Sequence, residues 1–124
     1  MIAYIALGGI VGTLARWFLQ GWIQHRSGLA MFPVGTLAIN LIGSLIIGFV
    51  IRLATGSTIV TPELRGALTI GFCGAFTTMS TFSYEGMKLL ADGEYWYAGL
   101  YMGGTIVGCL SAVIVGTALA SRLL

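Results

Sequence analysis

Between Gly74 and Glu85 the chain reads GAFTTMSTFSYE, placing five serine and threonine hydroxyls, Thr77, Thr78, Ser80, Thr81 and Ser83, within about three helical turns. The segment around them is apolar enough to cross a bilayer. Lipid cannot hydrogen-bond a stranded hydroxyl or an unwound backbone, so such a stretch is tolerated at membrane depth only when buried in protein or lining a polar pathway. Gly74 is conformationally permissive, and the Thr77–Thr78 pair can satisfy freed backbone groups. The sequence therefore predicts a helix break between Gly74 and Met79. A break leaves carbonyls free on one half and N–H groups free on the other, which suit a cation and an anion respectively. The chemistry indicated is recognition or passage of a small ion.

Residues next to the break extend this reading. The half-helix beginning near Ser80 points its positive end inward, with Phe82 just inside it. The positive edge of an aromatic ring attracts an anion, although core packing is the ordinary use of a phenylalanine. Glu85 lies one turn further, spaced to pair with Lys88 at i, i+3 or to stand as a vestibule charge. Thr36, Asn40 and Ser44 recur at i, i+4 and i+8. They form a polar stripe on an apolar helix. Asn40 carries two donors and an acceptor. Alone, it is equally explained by an interhelical hydrogen bond; beside the other stripes, it fits a pathway lining. Tyr97, Tyr101, Thr105 and Cys109 make a weaker polar line, in which Thr105 can simply bond back to its own helix.

These stripes need helices to hold them. Of the 124 residues, 57% are hydrophobic and 8% charged, where a soluble domain carries roughly a quarter charged residues. Four apolar blocks, Ile2–Trp22, Val34–Ala54, Ala67–Leu90 and Tyr95–Leu119, each reach the roughly 20 residues of a spanning helix. No β-barrel alternation is present. The expected fold is an all-α membrane protein, a single domain over residues 1–124, with four transmembrane helices and the third broken at mid-membrane. The connections are short, leaving no soluble region to house an enzyme. Arg16 inside the first block, and its length, argue against a signal peptide.

Small residues four apart, Gly8 and Gly12 in the first block and Gly104, Gly108, Ala112 and Gly116 in the last, predict close helix packing. ALGGIVG follows no strand, which excludes a dinucleotide fingerprint. Arg16, one step further along the Gly8–Gly12 face, reads as a structural charge that snorkels or bonds freed carbonyls. Cys73 and Cys109 lack redox or metal spacing, and His25 has no second ligand nearby. Tyr95, Trp96 and Tyr97 suit an interfacial belt. In a four-span layout Arg52, Arg65 and Arg122 fall on one side, and Arg26 and Lys88 on the other, joined by Arg16 if it snorkels that way. The near balance predicts insertion in both orientations and an antiparallel homodimer.

The motifs GGIVGTLARW, GTLAINLIGS and GFCGAFTTMSTFSYE together resemble the Fluc family of fluoride channels along essentially the whole chain. The last is the most specific, close to the family pattern GxxGGxTTFSTFS-x-E. The resemblance implies a fluoride-selective channel, not an enzyme, that exports the ion passively across the inner (plasma) membrane as a dual-topology homodimer with two pores. It also implies a structural Na⁺ at the dimer interface, held by the Gly74 and Thr77 carbonyls. Asn40 and Phe82 match pore positions, with Ser80, Thr81, Tyr101 and Thr105 as further pathway donors. Met79 stands where the first pore phenylalanine is usual, and Thr105 and Cys109 where serines are common in the family. The expected partners are fluoride, a second copy and membrane lipid, with no nucleic acid. A small multidrug resistance-type proton-coupled transporter is the alternative, but it needs a carboxylate in the first helix, where this chain has Arg16. A non-conducting structural subunit is a third reading and predicts no flux.

The charge balance makes one testable prediction. Lysines added at one end of the chain shift a mixed population of orientations to one. A chain with a single fixed orientation, unmoved by added lysines at either end, contradicts it.

Overall fold

The computed structural model describes residues 1–124, all helices and connections without strands. The order is α1 (Ile2–Ser27), α2 (Val34–Gly56), α3 (Pro62–Gly66), a π-helical segment (Ala67–Cys73), α4 (Gly74–Phe76), α5 (Met79–Ala91) and α6 (Tyr95–Ser121). Three of these, α1, α2 and α6, are long and apolar enough to cross a membrane. The block expected at Ala67–Leu90 is instead a succession of shorter helical pieces that already begins at Pro62. Proline at the first helical position and Thr61 before it explain that start: the Thr61 hydroxyl accepts from the Leu64 N–H at 3.2 Å. The first helix runs five residues beyond Trp22 and ends at Gly28, whose φ of 68° gives the left-handed cap that glycine adopts without strain.

Small residues set the packing. The most extensive helix pair is α2 with α6. There a Cβ on Gly48 would strike the Val113 carbonyl, and one on Gly116 would strike the Leu45 carbonyl. The Thr117 hydroxyl donates to the Gly48 carbonyl at 3.4 Å across the same seam. On the other side α1 lies against the π-helical segment and α4. A Cβ on Gly8 would meet the Ala67 carbonyl, and one on Gly71 the Ile5 carbonyl. Backbones this close are what small residues at four-residue spacing permit. Gly108 faces the Leu41 side chain, whereas nothing lies within 4 Å of a Cβ built on Gly104. The seam predicted along α6 is therefore occupied at only part of its length within one chain.

Gln24 organises the first connection. Its Nε2 donates to the carbonyls of Leu29 at 2.6 Å and Phe32 at 3.0 Å, and its Oε1 accepts from the Gly35 N–H at 2.9 Å. That last bond caps α2, whose own cap position is Pro33 and offers no side-chain acceptor. Gln20 ties the same ends together, its Nε2 donating to the Thr36 hydroxyl at 2.8 Å. Replacing Gln24 by Ala leaves the Gly35 N–H without its acceptor. Gln24→Ala is expected to cost about 1–3 kcal/mol, read from reversible unfolding in detergent, with Gln20→Ala costing less.

Candidate functional site

Helical geometry stops at Phe76. Thr77 (φ −87°, ψ 157°) and Thr78 (φ −146°, ψ 121°) are extended, and α5 starts at Met79. Two extended residues deprive the carbonyls before them of their i+4 donors and the amides after them of their acceptors. Their replacements can be traced one by one.

Thr78 is the centre. Its N–H donates to Asn40 Oδ1 at 2.8 Å, and its carbonyl accepts from Asn40 Nδ2 at 3.2 Å. The Asn40 amide thus pairs with both backbone groups of one extended residue, as a neighbouring strand would. The Thr78 hydroxyl caps α5, accepting from the Thr81 N–H at 3.2 Å and donating to the Thr81 hydroxyl at 3.1 Å. On the other side of the interruption, the Arg16 Nε donates to the Ala75 carbonyl at 2.9 Å. The Cys73 carbonyl accepts from both the N–H and the hydroxyl of Thr77, at 3.0 and 2.8 Å.

Two carbonyls are treated differently. In a continuous helix Gly74 would receive the Thr78 N–H and Thr77 would receive the Thr81 N–H. The first donor is held by Asn40 and the second by the Thr78 hydroxyl. Both Gly74 and Thr77 line a cavity of about 460 Å³. Paired carbonyl oxygens released by unwinding are hard donors suited to a Na⁺-like cation. The donor set therefore fits the ion that the sequence resemblance implies. One chain supplies two such oxygens, fewer than the usual shell of a hard cation.

The same cavity gathers Asn40, Met79, Phe82 and Thr105 from α2, α5 and α6, together with Ser44, Cys73 and Cys109. Asn40 and Thr105 are buried, while Met79 is 72% exposed. The Thr105 hydroxyl donates to the Tyr101 carbonyl at 2.6 Å, leaving its lone pairs toward other donors. Asn40 spends one Nδ2 hydrogen on Thr78 and keeps a second.

The remaining candidates lie close by. Tyr101 is fully buried, its ring 5.2 Å from that of Phe82 and 5.7 Å from that of Phe32. Its hydroxyl donates to Glu85 Oε1 at 3.1 Å, the place that sequence spacing offered to Lys88. Thr81 and Glu85 line a second cavity of about 700 Å³ with Arg16, Gln20, Gln24 and Lys88. Ser80 is exposed and lines neither cavity; its hydroxyl lies 3.4 Å from that of Thr78. Thr36 is turned toward Gln20 on α1 and lies outside both cavities. Thr77 and Thr78 satisfy freed backbone groups with their hydroxyls, as the sequence suggested, but the pairing of Thr78 with Asn40 was not foreseen. The place of Thr78 as the cap of α5 has a local signal, a threonine immediately preceding an apolar-periodic helix.

Comparison with known proteins follows the same lines. The family model for "CrcB-like protein, Camphor Resistance (CrcB)" matches residues 3–117. The chain belongs to this family. Among its relatives, the fluoride-specific ion channel FluC of Geotalea daltonii is 43% identical over 96% of this chain and 95% of its own. The protein of the same name in Chlorobium phaeobacteroides is 47% identical, over 94% of this chain and 89% of its own. That of Geobacter sulfurreducens is 46% identical over 98% of both. The resemblance read from the motifs and the family match thus agree.

Arg16 is the one long side chain that reaches the interruption from α1. Arg16→Met removes the donor to a carbonyl that no helical amide serves. It is expected to lower stability by about 1–3 kcal/mol, with Arg16→Lys intermediate, as measured by denaturation in detergent.

Proposed function

We propose that the chain is a fluoride-selective channel that lets the ion leave the cytoplasm passively through the plasma membrane. The observation that carries this reading is kinship, at 43–47% identity over nearly the whole chain, with relatives named fluoride-specific ion channels. The 460 Å³ cavity beside the interrupted helix supplies a physical setting for it.

Fluoride is small and strongly hydrated, so a pathway must replace its water with closely spaced donors. The spare Nδ2 hydrogen of Asn40 and the ring edge of Phe82 face that task in the cavity, with Thr105 beside them. Thr81 continues the line of hydroxyls into the second cavity, while Ser80 stands outside both cavities and Tyr101 directs its proton to Glu85 at the edge of the second. Met79 contributes a polarizable thioether where a ring edge is usual, which lowers throughput more than selectivity. Selectivity by polar lining needs no proton-coupled base.

In this reading the pieces from residue 62 to residue 91 act as a fourth span, interrupted at mid-membrane by Thr77 and Thr78. A second, antiparallel copy brings its own Gly74 and Thr77 carbonyls to the dimer centre, so that four oxygens hold a structural Na⁺. When bound, that ion neutralises carbonyl dipoles which would otherwise face one another. Two features support an added copy: the open space over Gly104, and the lack of ordinary packing around Gly74, where a Cβ meets only the Thr69 carbonyl at 3.9 Å. The exposed apolar faces, among them Ile10, Leu14 and Phe18 of α1, suit lipid.

Fluoride and chloride efflux from liposomes holding the purified chain tests the function. Rapid fluoride release without chloride release is expected. Asn40→Asp, which exchanges donors for acceptors, is expected to abolish flux, Asn40→Ala to fail likewise, and Thr36→Val to act more mildly. Absent fluoride flux, or equal chloride flux, contradicts the reading. So does a folded, dimeric Asn40→Asp channel conducting at the wild-type rate.

A further inference from the structure

The Asn40–Thr78 pairing joins two features that are otherwise separate. Asn40 lines the cavity from α2, and the Gly74 carbonyl borders the same cavity from the interrupted segment. The Thr78 N–H is the donor that a helix wound by one more residue would deliver to Gly74. Asn40 Oδ1 holds that N–H at 2.8 Å, and Asn40 Nδ2 fixes the peptide's other side through the Thr78 carbonyl at 3.2 Å.

We propose that Asn40 is a positioning residue for the cation site: by retaining the Thr78 N–H it keeps the Gly74 carbonyl open, coupling the anion pathway to cation binding. The inference rests on the Na⁺ reading given above and adds to it a residue whose side-chain hydrogen bonds both go to Thr78. The physical reason is the cost of a stranded amide. Without Oδ1, the Thr78 N–H loses its partner in an apolar interior, a loss of about 1–3 kcal/mol. The nearest remedy is for the chain to wind one further residue and close the bond to Gly74. That bond withdraws one of the two freed oxygens.

The two halves of the amide make separate contributions. Asn40→Asp keeps an acceptor at Oδ1 for the Thr78 N–H but loses the Nδ2 donors that an anion needs. Asn40→Leu fills similar volume and supplies neither. The variants therefore separate cation binding from anion passage, which a pathway role for Asn40 alone does not.

The test is thermal unfolding of the purified full-length protein in detergent, titrated with NaCl against choline chloride at constant ionic strength. The readout is the Na⁺ concentration at half-maximal stabilisation. Wild type is expected to show a saturable midpoint; a wild type indifferent to Na⁺ overturns both the sodium reading and this inference. With a wild-type midpoint in hand, Asn40→Asp is expected to keep it within about three-fold while losing fluoride flux, and Asn40→Leu to raise it about ten-fold or more. Where Asn40→Leu yields no dimer, Asn40→Ala takes its place with the same expected rise. A variant lacking Oδ1 that is less stable at saturating Na⁺ but has the wild-type midpoint overturns the inference and leaves the sodium reading standing. An equal rise for Asn40→Asp and Asn40→Leu overturns it as well.

Discussion

Everything near the cavity depends on one requirement: the backbone groups of an extended Thr78 need partners in an apolar surrounding. Unpaired, an amide and a carbonyl in such a place each cost several kcal/mol, and the chain would rewind into helix. The carboxamide of Asn40 supplies a donor and an acceptor at strand-like spacing, satisfying both from a single side chain. Around it, the Thr78 hydroxyl caps α5 and Arg16 takes the Ala75 carbonyl. The interruption is thus a braced structure and not a loose joint, in which the carbonyls of Gly74 and Thr77 are left without their helical donors.

That arrangement places demands on the rest of the chain. The Asn40 amide reaches Thr78 only because α2 passes close to the interruption; a Cβ on Gly43, one turn along, would strike the Thr77 side chain. Arg16 reaches Ala75 only because α1 lies almost in backbone contact with the π-helical segment, at Gly8 and Gly71. Small residues therefore serve the site indirectly, by letting three backbones converge where the hydrogen bonds must be made. Phe82, held against Tyr101 and through it against Phe32, completes the wall.

The sequence made the composition, the apolar helices and the polar stripes legible, because each is a local pattern with a helical period. Asn40, Phe82 and Thr105 could be chosen from their placement on helices, and Met79, Gly74 and Thr77 from the family resemblance; the fold brings all six to one cavity. What could not be read were pairings across helices. Asn40 with Thr78 is separated by 38 residues and Arg16 with Ala75 by 59, and no period links such positions. The partner of Glu85 was illegible for the same reason: Lys88 is the local option, whereas Tyr101 arrives from another helix. Gln24 went unnoticed because a single glutamine near the end of an apolar helix carries no periodic signal, although it caps α2. The π-helical stretch also escaped, since Ala67–Cys73 has the apolar composition of an ordinary helix.

The central claim is that Thr78 is held out of the helix by a side chain. Residue-resolved amide exchange of the protein in detergent micelles measures this most directly. The Thr78 amide is expected to be protected to the level of the α2 interior in wild type, and Asn40→Ala is expected to change that protection, while the amides of the α2–α6 seam stay as they were. A Thr78 amide that exchanges as freely as the chain ends in wild type would contradict the account.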